Sequence, residues 1–274
     1  MLEQFFHTDL SLSIAQAGIA ALVSLVVLLL SYRQRLSLEK EILVAIVRSL
    51  VQILAVGAVL IFILQGPLWV GGVILTFMMW MAAREAARRA KGIPGAMRVT
   101  FYGIFLGSGA VLLVMIFLGV IEWQLDSMIP VGSMVISGGL NACALALDRF
   151  RGEVESHTGQ IEAGLCLGGE AEKVVMPYVQ KAFHASLIPR LNAMRALGIV
   201  WIPGLMSGML LAGSDPVIAA LYQFVVMAMI FTSSSLSAFV SLMLVRKHIF
   251  SDADQLLLQS KYMQVPKKNR VKLG

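Results

Sequence analysis

Arg48 and Gln52 stand one helical turn apart inside an apolar stretch of about residues 42–64. An arginine in such a stretch is costly in lipid and turns to water, to a protein interior or to the headgroups. With Gln52 on the same face, the pair could line the inner mouth of a pathway. A snorkelling Arg48 would only anchor the helix. Ser133 and Asn141, in a later apolar stretch, are further pathway candidates, although both could simply hydrogen-bond within or between helices. The run Thr232, Ser233, Ser234, Ser235 and Ser237 is read the same way. Among the 16 methionines, Met194, Met206, Met209, Met227 and Met229 crowd the last two stretches. Thioethers can ligate soft metals, but gap-filling in a packed interior is the plainer reading.

Nothing in the chain resembles a catalytic engine. His7, His157, His184 and His248 are scattered without metal-ligand spacing. The run Gly164 to Gly169 is followed by Glu170 and so is no phosphate loop. No zincin motif and no GxSxG elbow occurs. Cys143 and Cys166 form no CxxC and are expected as free thiols. The chain is therefore not read as an enzyme, and neither a cofactor nor a metal-ligand set is assigned to it.

The elements that must carry these residues cross a membrane. Hydrophobic residues make up 58% of the chain, against about 45–50% in soluble proteins, and the mean hydropathy is +0.82. Seven apolar stretches can be traced, at about 11–31, 42–64, 68–83, 99–121, 128–147, 193–213 and 217–245. Lys and Arg follow every odd stretch and no even one, so all 22 can be placed on one side. Basic residues near short loops resist translocation, which makes that side cytoplasmic. The expectation is an all-α membrane protein of about seven spans, N-terminus out and C-terminus in. The net charge of +6 then belongs to membrane-flanking loops facing lipid headgroups, not to nucleic-acid binding. Met1 to Gln4 carry no basic residue, so the first stretch does not read as a cleaved signal peptide.

Punctuation supports the layout. Gln65-Gly66-Pro67 and Pro94-Gly95 make turns, and Arg84, Arg88 and Arg89 prolong the third helix into water. Asp215 is read as an N-cap with Pro216 at the first helical position. The sixth stretch is expected to kink or break near Pro203-Gly204. The pairs Gly103/Gly107 and Gly204/Gly208 suit close helix contact. A membrane domain over 1–245 is followed by a basic tail, 246–274, with Lys267, Lys268, Arg270 and Lys272.

Residues 148–192 are the one long polar segment, with helical amphipathicity that Pro177 and Pro189 are expected to interrupt. Within it Glu162-Ala163-Gly164-Leu165-Cys166-Leu167-Gly168 resembles the "EAA" cytoplasmic loop of ABC transporter permeases. The wider sequence resembles the FetB family of ABC permeases. The matches include Arg48 to Gly57, Ile129-Pro130-Val131, Asn141, Leu145 to Arg149 and Leu167-Gly168-Gly169. They continue through Leu187-Ile188-Pro189, Asn192, Pro203 to Gly208, Asp215-Pro216 and Tyr222-Gln223. The chain departs from the family at Ser137-Gly138, where Gly-Asn is usual, and at Leu167-Gly168-Gly169, where Leu-Gly-Ala is usual.

The resemblance implies a permease subunit in the inner (plasma) membrane, 148–192 being a cytoplasmic coupling loop. Glu162, Ala163, Gly164, Gly168 and Gly169 would dock a separate cytosolic ATPase. It further implies a permease homodimer and the export of a metal, iron. An ABC permease for an organic solute or a sugar nucleotide is the alternative. A secondary transporter driven by an ion gradient would want acidic residues within spans, and none of the 16 Asp and Glu is clearly mid-membrane. A seven-span receptor would want a signalling domain or a long tail.

Overall fold

Long apolar runs in this chain have one stable local form. In lipid each backbone polar group must be satisfied within its own segment, which selects helices. In the computed structural model the described residues are 39–90, 92–251 and 255–258, with scattered positions between 15 and 34. The stretch at 11–31, Lys91, His7 and the basic tail past Leu258 lie wholly or largely outside them. The chain forms two units, Met1–Gly66 and Pro67–Gly274. Among the described residues five helices are long and apolar enough to cross a membrane.

In the first unit α1 runs Glu39–Leu64. Its 26 residues rise about 39 Å. Glu39 and Glu41 occupy its first turn, where the helix dipole favours negative charge.

The second unit holds α2 (Trp69–Arg89), α3 (Ala96–Phe117), α4 (Leu125–Ser156), α5 (Thr158–Cys166), α6 (Ala171–Ala196), α7 (Gly204–Leu211) and α8 (Pro216–His248). Helix α2 does continue through Arg84, Arg88 and Arg89. At the start of α8 the Asp215 carboxylate accepts from the Val217 and Ile218 amides at 2.8 and 3.2 Å, with Pro216 next to it as expected. The last turn of α8 carries Arg246, Lys247 and His248, complementing the negative end of the dipole.

Helices α4 and α8 run parallel at the centre, joined by a polar seam. Ser233 donates to the Val135 carbonyl at 3.0 Å, and two turns on Cys143 meets Ser241 at 3.0 Å. Helix α3 closes the seam, its Ser108 hydroxyl 2.8 Å from that of Ser233. Glycines let the backbones approach: a Cβ on Gly107 would stand 2.7 Å from the Ser237 Cα, and Gly103 lies against Ser241. Gly204 and Gly208, expected to do the same, meet nothing within 4 Å. Inside α3 the residues Phe105–Gly109 form a π-helical turn, a feature that hydropathy does not announce.

Two expectations need correction. Pro177 and Pro189 do not interrupt the polar segment; both lie inside the continuous helix α6. Its packed stripe of Ala171, Val175, Val179, Ala182, Ser186 and Leu187 holds it along its neighbours. Both prolines are exposed, so the carbonyls they orphan are not shut in the core. The stretch 128–147 is part of a longer helix, because Phe150 and Val154 are fully buried and carry α4 on to Ser156. The sixth stretch does break before Pro203-Gly204, as expected: α6 ends at Ala196, residues 197–203 are irregular, and the eight-residue α7 follows.

Candidate coupling and pathway elements

Helices α5 and α6 form a helical hairpin whose tip is built from small residues. Gly168 has φ +82, a left-handed conformation that glycine adopts without strain. The Gly169 amide donates to the Gly164 carbonyl at 3.0 Å, and a Cβ on Gly169 would stand 2.7 Å from that oxygen. Gly164 faces Val174 across the hairpin. Between them Leu167 projects with 89% of its surface exposed. Tyr178 donates to Gln160 at 3.1 Å, tying the two arms. Glu170 pairs with Lys173 at 2.6 Å and holds that ammonium's pKa above the ordinary lysine range. Of the residues assigned to ATPase docking, Gly164, Gly168 and Gly169 meet at the turn. Glu162 and Ala163 lie on the exposed side of α5.

The hairpin is fastened to the long central helices by charge. Glu172 meets Arg246 at 3.0 Å and Lys247 at 3.6 Å, at the C-terminal end of α8. Arg246 also reaches the Met176 sulfur at 3.8 Å. Glu153, near the end of α4, faces both His157 and Lys181 at 3.7 Å.

Contacts farther along fix the register of α6 on α8. The rings of Phe183 and Phe239 are 6.2 Å apart, seven residues beyond the Met176–Arg246 contact on each helix. The helices are therefore antiparallel and in step. The chain after α6 stays beside α8, since the Met206 amide donates to the buried Gln223 side chain at 3.2 Å. Arg190 lies two turns past Phe183, level with Thr232, the midpoint of Pro216–His248.

The pathway candidates are divided between the two units. Asn141 is exposed and donates to the Ser137 carbonyl at 3.0 Å, while Ser133 donates to the Pro130 carbonyl at 2.7 Å. Each is satisfied by α4 itself. Arg48 and Gln52 are exposed on α1, within the first unit. The polar residues that reading the sequence passed over are Arg190, Asn192 and Arg195 on α6. The signal was present as an unbroken buried stripe at i, i+4, i+8 and i+11 from Ala171 to Ala182, which marks a helix through Pro177. Among the described residues no three His, Cys, Asp or Glu side chains converge as a metal site.

A bundle of long apolar helices with a buried polar seam and basic ends defines an all-α, multi-pass membrane protein. The family described as "Uncharacterised protein family (UPF0014)" matches residues 14–250, and the chain belongs to that family. It is 31% identical over 246 residues to the "Probable iron export permease protein FetB" of Escherichia coli (strain K12), covering 88% of this chain and 93% of that protein. It is 30% identical to the "Protein ALUMINUM SENSITIVE 3" of Arabidopsis thaliana, over 86% of this chain and 87% of that protein. With the "UPF0014 membrane protein YjkA" of Bacillus subtilis (strain 168) it shares 29% identity over 85% and 93%. No solved structure matches.

Proposed function

We propose that this chain is the membrane-spanning subunit of an ABC transporter in the plasma membrane, exporting iron with energy from a separate ATPase subunit. The observation that carries the reading is the α5–α6 hairpin. It presents an almost fully exposed Leu167 on a glycine turn, at the end of the molecule where Arg246 and Lys247 gather. An exposed leucine flanked by Glu162 and Glu170 suits a groove on a soluble partner. Around it, Glu172 and Arg246 join the hairpin to α8, so a push on the tip is delivered to a helix that crosses the membrane. The name of the Escherichia coli relative supports iron and export. A homodimer of this chain with two ATPase subunits, N-termini outside, would be the working unit. Binding and hydrolysis of ATP on the partner would rock the spans between inward- and outward-facing states.

The test is purification of the tagged chain from its own membranes, followed by ATP-dependent iron uptake into inside-out vesicles. An ABC ATPase should co-purify, and uptake should require it and ATP. Uptake driven by a proton gradient without any ATPase would sink the reading.

A further inference from the structure

The distal half of α6 places cations at the depth of the middle of α8. Arg190 is half-buried on the packed side of α6, level with Thr232. Arg195, a turn and a half farther, is exposed, as are His184, Ile188 and Asn192 on one continuous stripe with it. Among the described residues the side chains of His184, Arg190, Asn192 and Arg195 have no hydrogen-bond or ion-pair partner. Helix α6 then ends in the irregular segment 197–203, whose Trp201 amide bonds back to Ala196 at 3.2 Å. Irregular backbone at such depth is stable only where it is covered by protein or lines water.

An exposed arginine at mid-membrane depth needs water or an anion. Among the described residues neither arginine has a carboxylate partner, and none of the seven apolar stretches contains an Asp or Glu. We propose that Asn192 and Arg195 line the transport pathway and take an oxyanion-bearing cargo, its carboxylate or phosphate groups either free or wrapped around a metal. Guanidinium groups bind such oxygens two at a time, and Asn192 adds a neutral donor. This rests on reading the chain as a permease and sharpens it. Cationic walls without an acidic cage repel a bare ferrous ion, so iron would pass as an anionic complex.

Charge-selective thiol labelling in membrane vesicles tests the site without ATP or a second protein, so it is readable even if the ABC assignment fails. In a Cys166→Ser background (Cys143 being buried), Ile188→Cys and Asn192→Cys report from the stripe. Both should react with membrane-impermeant methanethiosulfonates. The anionic ethylsulfonate should react about tenfold faster than the cationic trimethylammonium reagent, after correction for their rates with a free thiol. Adding Arg195→Gln should bring the ratio close to one. No reaction at either position, or a preference for the cation, would overturn the proposal. Slowing by iron citrate alone marks a chelate as cargo, and slowing by citrate as well marks the free oxyanion. Slowing by ferrous ion without citrate, unchanged in Arg195→Gln, would overturn it too.

Discussion

The Glu172 carboxylate lies 3.0 Å from the Arg246 guanidinium: the first turn of the hairpin's second arm is clamped to the last turn of the longest helix. Both side chains are largely covered, so this contact is less screened than a surface ion pair. Glu172→Gln should leave insertion intact and lower iron moved per ATP hydrolysed. The exchanged pair, Glu172→Arg with Arg246→Glu, should recover part of it. A double-mutant cycle by thermal unfolding should give a coupling of about 1 kcal/mol. A coupling of zero would make the contact incidental.

At the hairpin tip the backbone itself is the requirement. Gly168→Val forces a branched residue into φ +82, at a cost of about 1–3 kcal/mol of strain. The hairpin should distort while the spans stay folded, so ATPase activity should persist and transport should fall. Charge reversal at Glu162, which lies on the exposed side of α5, should act on docking without distortion. Unchanged transport-to-ATPase ratios in both would reduce the hairpin to a connecting loop.

Packing along the seam predicts the opposite phenotype. Gly107→Ala puts a methyl 2.7 Å from the Ser237 Cα, so α3 and α8 must separate. The loss should be about 1–3 kcal/mol, seen as a lower melting temperature of the detergent-purified protein. Gly208→Ala, which meets open space, should melt like the parent protein and serves as the control.

Arg48 is exposed on α1, with Gln52 one turn on. If it lines the inner vestibule, Arg48→Leu should abolish most transport at matched protein levels and Arg48→Lys should retain some. Full activity in both variants would reduce Arg48 to a headgroup anchor.

Orientation follows from the basic residues. A reporter fused after Lys247 should read as cytoplasmic, and one inserted beside Asp215 as external. An external signal from the first fusion would reverse the topology.

Hydropathy alone locates α1, α2, α3, α4 and α8, because each is a long apolar run between turn residues or charges. It fails at α6, where Glu172, Lys181, Arg190 and Arg195 lower the average and two prolines imitate breaks. What holds that helix is a one-sided stripe, Ala171 to Leu187, legible only to a periodicity count that outvotes the prolines. The Gly103/Gly107 spacing announces a close crossing, whereas the identical spacing at Gly204/Gly208 does not, since a four-residue glycine interval states a possibility and the opposing surface decides it. Pathway polarity was sought in the apolar stretches, at Ser133 and Asn141, both satisfied by their own helix. Of the unpartnered groups, His184, Arg190 and Asn192 sit in the segment that composition assigns to water, and Arg195 stands at the start of an apolar stretch.

The π-helical turn at Phe105–Gly109 carries a constraint on how this sequence can change length. A π turn accommodates one residue more than an α turn, so it is the scar of a single-residue insertion absorbed within one turn. Removing one residue there would return the turn to α geometry and leave both flanks close to their present faces. The same deletion in the regular turns on either side would rotate everything beyond it by about 100° and carry Gly103 and Gly107 out of a common face toward α8. Across relatives this helix should therefore change length, if at all, by one residue at this turn and nowhere else.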